Sequence, residues 1–349
     1  MVKARLKDVA ERAGVAKNTA SMILNRRPNS WASKATVERV FRTAKELNYQ
    51  PSRAAVAFRR GKTNVIGLVV PDLQNPFYSG LAEILETFIA KDGYDLVIKS
   101  SRANIHRERV CLQNIVERQV DGVVCIAIDP VGVRPLLEEY TKSGKAVVLL
   151  SEGRSQDGLH DSVSVDFTRG MTEVVNHLVQ LDHHRIAFLV AVAKGQDEGA
   201  RPLMFRSFMR ESGLSEADAI VANSDQTLPG AFYAAKQLLS HPSLPKPTAI
   251  IAHNDLAALG VLRAASELGL RVPHDLSVVG VDNTLIGKYL PVTLTTILQP
   301  TELMMAATAD LLKHRLKQHD YAPPQHHEFE TTLVLGESTG RPYLQPKQP

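Results

Sequence analysis

Near the start of the chain, Leu6, Val9, Ala10 and Ala13 recur at spacings of three and four, which lays them on one helical face. Gly14 ends that stretch, and Val15 can plug the turn after it. The pattern predicts a second short helix from about Lys17 to Asn25. Ala20, Ile23 and Leu24 turn inward, and Lys17, Asn18, Ser21 and Met22 turn outward. A third helix starts after Ser33, a suitable N-cap, with Val37, Val40, Phe41, Ala44 and Leu47 as its apolar stripe. Two short helices joined by a Gly-containing turn form a helix-turn-helix, whose second helix enters the DNA major groove.

From Asn64 onward the period changes. Apolar runs suited to buried strands appear at Val65–Val70, Tyr94–Ile98, Gly122–Ile128, Ala146–Leu150, Ile186–Val190, Thr248–Ala252 and Leu276–Val281, with amphipathic helices between them. That alternation predicts βαβ units and parallel sheets covered on both faces. Two such sets make two lobes, and open α/β sheets take ligands at the C-terminal ends of their strands.

Charge sharpens the division. Residues 1–62 hold 15 Lys and Arg against 4 Asp and Glu, a balance of +11, while the remainder holds 26 against 33, a balance of −7. A basic head on a mildly acidic body suggests a polyanionic partner for the head, a solvated basic surface or a membrane-surface patch being the alternatives. No apolar run approaches a membrane span, and the first residues lack the form of an export signal, so a cytoplasmic protein is expected. Cys111 and Cys125, without a cysteine framework, are expected to be reduced and buried. There is no Gly-x-Gly-x-x-Gly after a strand, no P-loop and no Gly-x-Ser-x-Gly elbow, which argues against the commonest enzyme classes and against a cofactor. The pairs His183-His184 and His326-His327 lack further ligands at metal spacing and read as surface histidines.

The run Leu-Lys-Asp-Val-Ala-Glu-Arg-Ala-Gly-Val over 6–15, then Thr19, Ser21, Leu24-Asn25 and Glu46-Leu47-Asn48-Tyr49-Gln50-Pro51, resembles the lactose repressor family, and the likeness continues through the body. The resemblance implies a helix-turn-helix head over 1–51, a hinge helix over 52–62, a two-lobed periplasmic-binding-protein-like core over 63–340 and a tail over 341–349. It implies a homodimer on a palindromic double-stranded operator, regulated by a small molecule. Without such a head, a sugar-binding module with no DNA role would be the alternative.

Residue by residue, the family's base-reading positions fall on Lys17, Asn18 and Met22. Asn suits adenine and Lys guanine, whereas Met22, in place of the usual Arg, offers only apolar contact. Ala16 replaces the usual Ser or Thr cap. In the hinge, Phe58 matches the Leu that wedges into a base step, and Arg53, Arg59 and Arg60 would meet phosphates; a plain basic linker is the other reading. Phe77, Tyr78, Asp166, Arg201, Asn254 and Asp282 match effector-contacting positions, with a lobe-internal salt bridge or helix cap as the alternative for Arg201 and Asp282. Met204 stands where the family has Gly, and Gln226 where purine- and lactose-responsive members carry an aromatic, which favours a sugar or sugar derivative over a nucleobase.

Overall fold

A computed structural model of the chain describes residues 4–25, 32–49, 62–153, 158–191, 199–243, 245–317 and 323–343. It separates into two compact units, Met1–Thr63 and Asn64–Pro349. The hinge positions Arg53, Phe58, Arg59 and Arg60 lie outside the described residues.

The first unit holds α1 (Leu6–Arg12), α2 (Lys17–Leu24) and α3 (Lys34–Glu46) around Val9, Ala10, Ala13, Ala20, Ile23, Val40 and Ala44. Gly14 takes a φ of +62° between the first two helices, where a side chain would be strained. Ser33 caps α3, its Oγ accepting from Thr36 N at 3.3 Å, and Arg39 Nε donates to Ala13 O at 2.9 Å, tying α3 to the turn. Ala16 provides no side-chain cap to α2. Two inward–outward assignments change. Ser21 is buried rather than outward, and the Asn25 side chain folds back over it, donating to Ser21 O at 2.6 Å and to Ser21 Oγ at 3.4 Å. Phe41 is 39% exposed, because Val40 and Ala44 already fill the small core and Phe41 lies at the shoulder of that stripe.

The second unit contains two six-stranded sheets. The first comprises β1 (Val65–Val70), β2 (Asp95–Ser100), β3 (Gly122–Ile126), β4 (Ala146–Glu152), β5 (Asp161–Asp166) and β11 (His326–Glu330), in the order β11-β5-β4-β3-β1-β2. The second comprises β6 (Ile186–Ala191), β7 (Ala219–Ser224), β8 (Ala249–Ala252), β9 (Ser277–Val281), β10 (Thr295–Leu298) and β12 (Thr332–Val334), in the order β12-β10-β9-β8-β6-β7. All neighbours are parallel except β10 and β12.

Helices α4 (Pro76–Ala90), α5 (Ile105–Glu117), α6 (Pro130–Lys142) and α12 (Thr301–Lys317) pack with the first sheet. Those with the second are α7 (Thr168–Gln180), α8 (Ala200–Glu211), α9 (Leu228–Ser240), α10 (Asp255–Glu267) and the short α11 (Leu285–Lys288). Burial on both faces explains why β1, β3, β6, β8 and β9 read as unbroken apolar runs.

The chain passes between the lobes three times, after β5, after β10 and between β11 and β12. The first and third crossings are fastened together. Thr331 donates from both N and Oγ1 to Asp166 O, each at 3.1 Å.

Each histidine pair is split: His184 and His327 are exposed, as expected, whereas His183 and His326 turn inward. His183 is fully buried, with Nδ1 2.8 Å from Thr248 Oγ1 and Nε2 2.9 Å from both Ser277 Oγ and Gly340 O. His326 is bonded to Ser162 and Ser164. The segment just before the expected tail, and Tyr343 within it, are bonded to the second lobe. Ser338 is buried, its Oγ accepting from Thr295 N and donating to Val278 O, and Tyr343 N donates to His274 O at 3.0 Å. Cys111 is half-buried, Cys125 buried, and both are free thiols.

Candidate functional site

A cleft of about 450 Å³ lies between the two lobes, at the C-terminal ends of strands from both sheets. Its size and position are those of a small-molecule site in an open α/β fold.

From the first lobe, the turn after β1 contributes Pro71, Asp72 and Asn75. Asn75 caps α4, accepting from Phe77 N at 3.0 Å, and Pro76 occupies the first helical turn. That start places Phe77 and Tyr78 in the lining, edge to face with ring centroids 5.3 Å apart. The turn after β3 is held from behind by buried Glu108, whose carboxylate accepts from Ile128 N at 2.6 Å and Asp129 N at 3.0 Å. Ser151 and Glu152 at the end of β4 complete this wall.

From the second lobe come Gly199, Ala200 and Arg201 at the start of α8, His253 and Asn254 after β8, Asp282 after β9 and Gln299 after β10. Arg201 reaches across. Its Nη2 lies 2.9 Å from Glu152 Oε1 of the first lobe, its Nη1 donates to His253 O at 2.8 Å, and its guanidinium lies 5.0 Å from the centroid of the Phe167 ring. Asn254 caps α10, its Oδ1 accepting from Ala257 N at 2.7 Å, so the cap and the cleft position coexist in one side chain.

Asp282 is 7% exposed and has a φ of +109°, a strained conformation costing about 1–3 kcal/mol for a non-glycine residue. Gln299 Nε2 donates to its Oδ1 at 2.7 Å. Burial first, then the Asp255 carboxylate, pushes the Asp282 carboxyl well above the usual carboxylate range. Burial, with Arg201 adding to it, drives His253 down to about 3, so its imidazole is neutral at neutral pH. Burial and the carboxylates of Asp282 and Glu152 raise the Tyr78 phenol, which stays protonated.

Five of the six expected cleft residues, Phe77, Tyr78, Arg201, Asn254 and Asp282, are thus brought together. Asp166 is not among the lining residues. Its Oδ1 accepts from Thr168 N at 2.8 Å and Thr168 Oγ1 at 2.6 Å, starting α7 at the lobe crossing. Neighbouring Asp255 is also internal, taken up by Thr284 and Thr296. Gln226 lines the cleft, while Met204 packs on the core within an unbroken α8. Glu152, His253 and Gln299 went unread in the sequence, whereas Asp72 belongs to the turn after the first strand that the family likeness already assigned to the cleft. Glu152 closes a strand that was legible, so the strand-end rule could have found it, whereas Gln299 follows a strand that was not.

In the head, Lys17 and Asn18 are exposed on the first turn of α2, and Met22 is half-buried beside them. Ser21 turns away from that face. Among the described residues there is no cluster of three or more side chains able to hold a metal, and no helix long and apolar enough to cross a membrane.

A helix-turn-helix joined to a two-lobed receptor with a cleft at its strand ends defines a DNA-binding regulator that carries its own small-molecule sensor. Comparison with known proteins agrees. Residues 5–52 match the model for bacterial regulatory proteins of the lacI family, and residues 175–339 match a periplasmic binding protein-like domain. Catabolite control protein A of Priestia megaterium is 31% identical over 84% of this chain and 86% of its own length. The ribose operon repressor of Escherichia coli strain K12 is 30% identical over 90% of this chain and 94% of its own. The chain belongs to the lacI family and is a transcription regulator. A crystal structure of the Lac repressor dimer bound to operator and an anti-inducer covers 97% of this chain and all of that one, at a TM-score of 0.79 and 25% identity. A lacI-family regulator from Enterococcus faecium with bound ribose covers 79% and 99%, at a TM-score of 0.69 and 26% identity.

Proposed function

We propose that the chain is a cytoplasmic, non-enzymatic repressor of sugar-utilisation genes that binds a palindromic operator as a homodimer and alters its grip when a sugar or sugar derivative enters the cleft. The observation that carries this reading is the cleft itself. It places the Arg201 guanidinium, the Asp282 carboxyl and the Phe77–Tyr78 aromatic pair around one sugar-sized space between lobes that can move relative to each other. Guanidinium and carboxyl groups read hydroxyls, and aromatic faces cover the C–H face of a sugar ring. The ribose-bound Enterococcus faecium structure and the ribose operon repressor support a sugar as the effector class.

Lys17, Asn18 and Met22 read bases, while the hinge residues Arg53, Phe58 and Arg59 meet the backbone and minor groove. Leu285, Ile286 and Tyr289 form an exposed apolar run around α11, with Tyr289 82% exposed, and suit pairing with a second copy. A ligand that prefers one arrangement of the lobes shifts the spacing of the paired heads and with it operator affinity.

The test is selection of binding sites from random duplex DNA with the full chain at fixed salt, followed by titration of the selected site with a sugar panel. A two-fold symmetric site whose affinity changes with one sugar, and no longer does so in Arg201→Ala, is the expected result. Recovery of DNA with no symmetric motif would sink the operator reading.

A further inference from the structure

The described cleft carries three carboxyl side chains, Asp72, Glu152 and Asp282, and a single cationic one, Arg201. That cation is already engaged. Glu152 meets it at 2.9 Å from the opposite lobe, the His253 carbonyl takes a second N–H at 2.8 Å, and the Phe167 ring stands 5.0 Å away. His253, 6% exposed and neutral, supplies no further positive charge. Around Tyr78, Asp282, Glu152 and Asp72 disfavour a negative phenolate and Arg201 favours one. Whether Asp282 is protonated or ionised, the described lining has no surplus of positive charge.

We propose that the effector is an uncharged polyhydroxylated molecule, and that Glu152 excludes its phosphorylated and carboxylated relatives by holding Arg201 from across the cleft. This rests on the effector reading above and narrows it. An anionic group entering a partly desolvated site needs an unpaired cation or a set of free N–H donors. An anion that meets Arg201 must either displace Glu152, leaving that carboxylate beside it, or share one guanidinium with it. Hydroxyl groups face no such conflict, since each can donate to a carboxylate and accept from a guanidinium. Glu152 is the repulsive element that specificity requires in addition to attractive contacts.

The experiment is isothermal titration calorimetry of the full chain at fixed pH and ionic strength with matched sets. Each set holds a neutral sugar, its phosphate ester and its sugar acid: ribose with ribose 5-phosphate and ribonate, glucose with glucose 6-phosphate and gluconate, and galactose with galactose 6-phosphate and galactonate. In any set that binds, the neutral member is expected to be tighter than its anions by at least about tenfold, which is about 1.4 kcal/mol. Glu152→Gln is expected to shrink that ratio severalfold. Its side chain is 56% exposed, and the wild-type ranking decides the question without any variant. An anion that binds the wild-type chain more tightly than its neutral parent overturns the proposal and leaves the sugar-effector reading standing. An unchanged ratio in Glu152→Gln removes Glu152 from the role. Absence of binding by every member of every set, from a chain that still selects DNA, overturns the sugar reading and this proposal together.

Discussion

His183 offers the sharpest test of the core on which the second lobe is built. It is fully buried just beyond α7 and bridges Thr248, Ser277 and the carbonyl of Gly340, so one imidazole joins the residue ahead of β8, the start of β9 and the C-terminal segment. Burial lowers it from 6.5 to about 4. A histidine depressed in this way is neutral when folded and takes up its proton first when unfolded. Its contribution is fully present above pH 6.5 and is lost as pH falls toward 4, where the folded form also binds the proton. The span from 6.5 to about 4, at about 1.4 kcal/mol per pH unit, is worth about 3 kcal/mol. His253 has the same sign, whereas Glu108, Asp255 and Asp282, raised by burial, gain stability as pH falls through their folded values. These groups drop out of a difference measurement. Denaturant unfolding followed by far-ultraviolet circular dichroism, in wild type and His183→Gln at each pH from 7 to 4, reads that difference. Wild type should lose its advantage over the variant progressively across this range. A difference flat with pH would refute the assignment of a neutral, bridging His183.

Other expectations follow from single contacts. Arg315 makes a two-pronged ion pair with buried Asp161, at 2.7 and 2.8 Å, and Arg315→Met should cost about 3–5 kcal/mol by leaving that carboxylate uncompensated. The double variant with Asp161→Asn should recover part of it in the same unfolding assay. Ser33→Ala removes the cap of α3 and should destabilise the head by about 1 kcal/mol, seen as a lower first transition by calorimetry. Lys17→Ala and Asn18→Ala should change the base preference found by site selection, because both side chains stand exposed at the start of α2, and unchanged preference in both would remove that helix as the reader. Phe58→Ala should weaken specific binding while sparing most non-specific binding in a salt-matched gel-shift series, and equal loss of both would contradict a minor-groove wedge.

Much of this architecture was legible because its signals are local. A helix stripe at three and four, a glycine where φ must be positive, a hydroxyl ahead of a helix and an apolar run for a strand buried on both faces depend on near neighbours alone. The three head helices and seven of the twelve strands among the described residues were therefore visible, as was the family likeness of the cleft turns. β5 escaped because its serines are buried yet polar, which costs little only since His326 and Glu328, more than 160 residues away, supply hydrogen-bonding partners. For the same reason His183 looked like a surface residue until Thr248, Ser277 and Gly340 closed around it.

Residue order alone thus carried the division into a basic reading head and an acidic two-lobed receptor, together with most of the strand ends from which the cleft is built. The pairing of charges inside that cleft arises only once the chain is folded. Glu152 and Arg201 belong to different lobes, and the three chain crossings between the lobes bring them to 2.9 Å. Electrostatic partnership depends on distance in space, and sequence separation carries no record of it.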